Sequence, residues 1–265
     1  MKRLSLSHLT VLEVGPPDLI VLAAQAGFGA VGIRLCSPMP GGVEYPLRAG
    51  TEALRETQRR MAALNVAVSD IEVVRIGADT RVDAYLPAFE AGAELGARRV
   101  CVNIDDPDRG RAVDRLAELC DLARPHGLAL DVEFMIWRPV ARLEDAVEVV
   151  RRAGRDNAFV LIDALHLIRS GGTVEAVAAL DPALIGSVQL CDAPLAAPPA
   201  SGIIDEARGN RLLPGDGELP LHALLAAVPE HVPLAAEVPL ASPSDPAQRA
   251  WRVREATERL LHGDG

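Results

Sequence analysis

The sequence predicts an α/β protein built as a single (β/α)8 TIM barrel, on three observations. Short apolar runs rich in β-formers alternate with stretches of helical spacing. The alternation recurs about every 30 residues, which calls for parallel strands joined by right-handed crossovers. Eight such units fit in 265 residues, a length that α/β barrels often reach as one domain. Residues 1–265 are therefore read as one domain. A doubly wound open sheet is the competing arrangement, but no GxGxxG follows the first strand.

Lys2 to Leu6 alternates and forms the first expected strand, with His8 just beyond it. Pro16-Pro17-Asp18 opens a helix to Ala26, and Gly27 closes it. Ala30 to Leu35 is the second strand and carries Arg34 inside an apolar run. Arg48 to Leu64 has helical spacing with a charged outer face. Val66 to Val74 is the third strand, holding Asp70 and Glu72, followed by a helix from Val82 to Leu95. Arg99 to Ile104 is the fourth strand, ending near Asn103, and Arg109 to Arg124 its helix. Leu128 to Met135 is the fifth, with Glu133 near its end, then a helix from Leu143 to Ala153. Phe159 to Asp163 is the sixth, and Val174 to Leu180 the shortest helix. Ile185 to Leu190 is the seventh strand, with Gln189 near its end. A long Pro- and Gly-containing connection from Pro194 to Gly217 leads to the helix Leu219 to Val228. Leu234 to Val238, containing Glu237, is the eighth strand, and Ala247 to Leu261 the closing helix.

Composition narrows the function. Hydrophobic residues are 49% of the chain but aromatics only 3%, so Ala, Val and Leu must fill the core. A net charge of −10 argues against a nucleic-acid binder, yet leaves room for a small anionic substrate, which responds to local field. The cysteines Cys36, Cys101, Cys120 and Cys191 lack CxxC spacing. With no secretory signal and no apolar run of bilayer length, the expectation is a reduced, cytoplasmic protein without membrane contact.

A barrel places its chemistry at the C-terminal ends of its strands. Glu133, Asp163, Gln189 and Glu237 fall there on four consecutive strands, so they can converge near the axis. Three facing carboxylates would repel unless some were protonated or a cation lay between them. Three carboxylates and an amide oxygen suit a hard ion, Mn²⁺ or Mg²⁺, ahead of Co²⁺ or Zn²⁺. The alternative for each residue alone is a cap or a surface group. Asp163 and His166, in Leu161-Ile162-Asp163-Ala164-Leu165-His166, read separately as a helix cap and a partly buried imidazole.

The segments Asp131-Val132-Glu133-Phe134-Met135, Leu161-Ile162-Asp163-Ala164-Leu165-His166, Ser187-Val188-Gln189-Leu190-Cys191-Asp192 and Ala235-Ala236-Glu237-Val238 resemble the xylose isomerase-like TIM-barrel superfamily, the sugar phosphate isomerase/epimerase group. That resemblance implies one divalent metal held by Glu133, Asp163, Gln189 and Glu237. It makes Glu133 and Glu237 the acid–base pair, and His166 a substrate-binding or supporting group. Gln189 departs from the His of many members, and some relatives with Gln here resemble 3-dehydroshikimate dehydratases.

The chemistry follows from such a site. A metal-chelated hydroxyl and carbonyl acidify the adjacent C–H, and a glutamate takes the proton to leave an enediolate. Reprotonation elsewhere isomerises or epimerises a small polyhydroxylated carbonyl compound, a ketose that is acidic or phosphorylated in one version. Loss of a β-hydroxyl is the lyase alternative, and a non-catalytic ligand-binding barrel the third. An endonuclease branch is disfavoured by six histidines and the acidic charge. Arg34, Arg169 and Arg208 are candidates for binding an anionic group, with Arg211 evenly balanced against a surface role. His8 and Glu72 point to the mouth if strand register holds, and Trp137 is placed to wall the pocket or to pack. Leu213-Pro214-Gly215-Asp216-Gly217-Glu218 is assigned to shaping its loop. Many relatives associate, so a homo-oligomer is also expected.

Overall fold

Eight parallel strands close into a barrel in chain order, β1 against β8 completing the ring. The structure is a computed structural model that describes residues 4–39, 41–241 and 245–263. The strands are β1 (Ser5–Leu6), β2 (Ala30–Arg34), β3 (Ala67–Ile76), β4 (Arg99–Ile104), β5 (Ala129–Glu133), β6 (Ala158–Asp163), β7 (Ile185–Leu190) and β8 (Leu234–Ala236). Outside them run α1 (Pro16–Ala26), α2 (Glu52–Leu64), α3 (Leu86–Glu94), α4 (Arg109–Ala123), α5 (Leu143–Ala153), α6 (Ala164–Arg169), α7 (Val174–Ala178), α8 (Ile203–Gly209), α9 (Leu221–Ala227) and α10 (Pro246–His262). The expected fold class is the observed one. No helix among the described residues is long and apolar enough to cross a membrane.

Local chemistry sets the boundaries. Gly27 ends α1 at a φ of 88°, a left-handed conformation that costs glycine little. Thr51 caps α2 by accepting from the Leu54 N–H, so that helix starts at Glu52, not at the expected Arg48. The helix expected from Val82 begins as a 3-10 turn and becomes α-helical only at Leu86. Of the expected first strand, Lys2 and Arg3 lie outside the described residues. Strand β8 stops at Ala236, which leaves Glu237 one residue past the ladder. The sequence reading gave no range to two helices: α6, immediately after β6, foreseen only in the reading of Asp163 as a helix cap, and α8, inside the long connection after β7.

Strand side chains alternate between the barrel axis and the helix layer. On β5, Leu130 and Val132 are buried in the main core, built largely from Leu, Val, Ile and Ala. Asp131 and Glu133 belong to the other face. A much smaller apolar cluster, Val73, Cys101 and Leu161, is separate from that core. Above it lies a polar mouth and below it a polar floor, with cavities that share Cys101 and Gln189 as wall residues.

Candidate active site

Register brings the mouth together. Asn103 pairs with Glu133 across β4 and β5, and Asp163 with Gln189 across β6 and β7. Around them is a cavity of about 210 Å³ whose lining includes Glu133, His166, Gln189, Glu237 and Arg34. Asp163 is completely buried beside it.

Asp163 ends β6 and caps α6, its Oδ1 accepting the His166 N–H at 2.9 Å. Asp163 is thus the helix cap that one sequence reading made it, and it also stands among the carboxylates gathered at the mouth. Its other oxygen, Oδ2, accepts from Arg211 Nη1 at 2.6 Å. Burial would raise its pKa, but the charge of Arg211, together with His166 and the hydrogen bonds both residues donate, outweighs that and holds it low. Arg211 Nη2 also lies 3.1 Å from Glu237 Oε2. Glu237 Oε1 accepts from Gln189 Nε2 at 2.9 Å and from Ser7 Oγ at 2.7 Å.

Glu133 Oε2 accepts from Asn103 Nδ2 at 2.8 Å, and its Oε1 lies 3.7 Å from His166 Nε2. Burial, reinforced by the charge of Asp163, pushes Glu133 up to about 7. Burial likewise pushes Glu237 up to about 8, Arg211 offsetting part of the rise. His166 is forced down to about 4 by burial, so its ring is neutral near pH 7.

Glu133, Asp163 and His166 present ligand atoms within 4.8 Å of one another, a cluster able to hold a metal ion. Among the described residues, neither Gln189 Oε1 nor His166 Nδ1 has a hydrogen-bond partner, and both are buried. An orphaned amide oxygen beside three carboxylates is a donor set that fits a hard divalent cation. The structure groups His166 with Glu133 and Asp163 more closely than the sequence suggested.

The remaining candidates divide. Arg34 and Glu72 line the cavity but are committed to each other, Nη2 to Oε2 at 2.8 Å. Arg208 lines it from the exposed rim, with no carboxylate partner among the described residues. Trp137 forms a wall, edge-on to His166, its Nε1 buried and unpartnered. His8 is corrected: it is absent from the cavity wall, accepting the Arg34 N–H at Nδ1 and stacking on Tyr45. It supports Arg34 from behind. Arg169 is corrected too. It clamps Glu206 at 2.8 Å and donates to the carbonyls of Pro194 and Leu195, because α6 carries it away from the cavity.

Sequence reasoning passed over Cys101 and Arg138, which line the cavity, and Ser7, which donates to Glu72 and Glu237. Arg138 lines the cavity while bonding Asp105, and no local motif marks it. The Pro214-Gly215 turn has the loop-shaping role assigned to it. Buried Asp192 accepts from the Gly215 and Leu219 N–H groups, and a Cβ on Gly217 would lie 2.4 Å from Asp192 Oδ1.

Residues 20–254 match the family described as xylose isomerase-like TIM barrel. The chain is 32% identical over 146 residues to the 3-dehydroshikimate dehydratase of Pseudomonas aeruginosa, covering 53% of this chain and 23% of that protein. It is 32% identical over 122 residues to the inosose isomerase of Bacillus subtilis, covering 45% of this chain and 42% of that one. The chain thus spans less than half the length of either curated relative. A structure of IOLI protein with a bound zinc atom superimposes with a TM-score of 0.81 at 19% identity, covering 98% of each chain, a likeness of fold.

Proposed function

The chain belongs to the xylose isomerase-like TIM-barrel family, and on that premise we propose that its mouth isomerises or epimerises a small polyhydroxylated carbonyl compound with one divalent metal ion. The observation that carries this reading is the pair Glu133 and Glu237. Both are buried and both line one cavity, at the ends of strands on either side of Asp163 and Gln189, so two carboxylates reach one bound substrate. A carboxylate within reach of a substrate carbon can act as general acid or base.

Glu133, Asp163, Gln189 and Glu237 would hold the metal, Mn²⁺ or Mg²⁺ by the oxygen-rich donor set. Once bound, it would polarise the substrate carbonyl and acidify the neighbouring C–H. One glutamate takes the proton from that carbon. The other, or the same one after substrate reorients, returns it. Neutral His166 offers a ring nitrogen to a substrate hydroxyl, and Trp137 walls the cavity and limits water. Arg208, exposed at the rim without a carboxylate partner among the described residues, favours a substrate carrying a carboxylate or phosphate.

A second reading has its own support. Gln189 at the end of β7, Arg208 at the rim and the similarity to the Pseudomonas aeruginosa enzyme favour a lyase of the 3-dehydroshikimate dehydratase type. Its first step is the same proton abstraction, followed by loss of a β-hydroxyl as water.

The deciding experiment incubates the Mn²⁺-supplemented protein in D₂O with ketoses, their phosphates and 3-dehydroshikimate. Deuterium at the carbon beside the carbonyl without water loss is the expected result. Water loss from dehydroshikimate alone would establish the lyase. A compound that binds with neither outcome would leave a non-catalytic barrel.

A further inference from the structure

Arg211 is an unusual neighbour for a metal site. It puts a fixed positive charge among the carboxylates that a cation would use. Its side chain is 1% exposed. Contacts with Asp163 Oδ2 and Glu237 Oε2, at 2.6 and 3.1 Å, tie it to two strands. Backbone acceptors hold it independently of those carboxylates: Nε donates to the Ala207 carbonyl at 2.8 Å and Nη1 to the Glu237 carbonyl at 3.3 Å. Nη1 also meets Cys191 Sγ at 3.3 Å. A guanidinium anchored this way has no cause to leave when a second cation arrives.

The charges are informative. Glu133, Asp163 and Glu237 supply three negative charges when ionised, against one from Arg211. A divalent ion balances the remainder, whereas without Arg211 the same ion would leave a net negative site. Two carboxylate oxygens are each shared with the guanidinium, which lowers what they can offer a metal. Like charges a few ångströms apart in a poorly solvated site repel appreciably.

We infer that Arg211 is a built-in counter-cation: it holds the carboxylates together while the metal is absent, stays when the metal binds, and weakens metal affinity so that the ion remains exchangeable. This rests on the reading of the mouth as a divalent-metal site. Arg211 is thus a positioning residue for the ligands, whatever it also does toward substrate.

The test compares wild type, Arg211→Met and Arg211→Lys, each after EDTA treatment, by thermal unfolding and by calorimetric titration with Mn²⁺. Arg211→Met is expected to unfold at a markedly lower temperature without metal. It should recover most of the difference at saturating Mn²⁺ and bind Mn²⁺ about tenfold tighter than wild type. Arg211→Lys keeps the charge and should bind within about threefold of wild type. Should Arg211→Met not fold without metal, refolding in excess Mn²⁺ supports the inference, and the lysine variant then carries the affinity comparison. Equal or weaker Mn²⁺ binding by Arg211→Met, or tenfold tighter binding by Arg211→Lys, would overturn the counter-cation. A wild-type protein that takes up no Mn²⁺ would instead remove the metal reading itself.

Discussion

The two ends of the barrel use the same chemistry to opposite ends. Asp131 and Glu133 sit two residues apart on the same face of β5. At the floor, Asp131 is closed off: Arg99 donates to one oxygen at 2.9 Å and Ser187 to the other at 2.6 Å. At the mouth, Glu133 has Asn103 on one oxygen and only a neutral imidazole at 3.7 Å beside the other. Among the described residues, four buried polar atoms on cavity-lining residues have no partner: Gln189 Oε1, His166 Nδ1, Trp137 Nε1 and Arg138 Nε. Apart from Gln189, which the two cavities share, no floor side chain has such an atom among the described residues. Buried charge alone therefore does not mark a functional site. Several buried groups short of partners around one cavity are the stronger sign, since leaving them so costs stability that a structural role would not require.

The contrast can be broken most sharply at the glutamates. Glu237→Gln should keep the fold, by circular dichroism and melting temperature, and lose about a thousandfold in solvent deuterium exchange. Near-normal exchange would remove Glu237 from the chemistry.

A matched pair of substitutions then separates the ends. Asp163→Ala strands Arg211 and uncaps α6. It should destabilise the protein by about 3 kcal/mol in denaturant unfolding and abolish retention of Mn²⁺. Asp131→Asn should cost about 2 kcal/mol while leaving metal content untouched. If the floor variant lost the metal, the two ends would not be independent.

The smallest effect is in pH. Burial, with the charge of Glu72, pushes Asp70 at the floor up to about 7. An unfolded aspartate titrates near 4, so the folded state holds the proton longer and loses stability as pH rises from about 4 to 7. Asp70→Asn removes that loss. Its melting temperature should match wild type near pH 4 and exceed it by a few degrees at pH 8. A constant difference across that range would show that Asp70 does not titrate as its surroundings imply.

Much of this was legible in the chain. Strand and helix alternation was readable because each element needs one apolar face, and β4, α5 and β7 begin and end where their patterns do. The ring Glu133, Asp163, Gln189 and Glu237 was readable because strand ends are equivalent by topology. Other features depend on contacts distant in sequence. Arg211 is one arginine in a loop until the backbone pairing of Asp192 with Leu212 folds that loop inward. Arg169 follows the sixth strand and so looked like a mouth residue, but the six-residue helix α6 turns it toward Glu206. Helix α8 escaped notice because its buried face is Glu206, Ala207 and Gly209, which makes no apolar stripe.

Helix α6 links these parts in a way that bears on how the site can change over time. Asp163 caps one end of it, while Arg169 at the other grips Glu206 of α8, whose Ala207 carbonyl in turn steadies Arg211. Arg208 and Arg211 are thereby indexed to the strand that bears Asp163, not to the largely exposed run at 196–200 that follows the carbonyls held by Arg169. That run can lengthen, shorten or drift in composition while the reacting groups keep their spacing. The molecule thus separates a rim that is loosely tied from a centre that is tightly tied, so new substrates could be explored at the edge without rebuilding the chemistry.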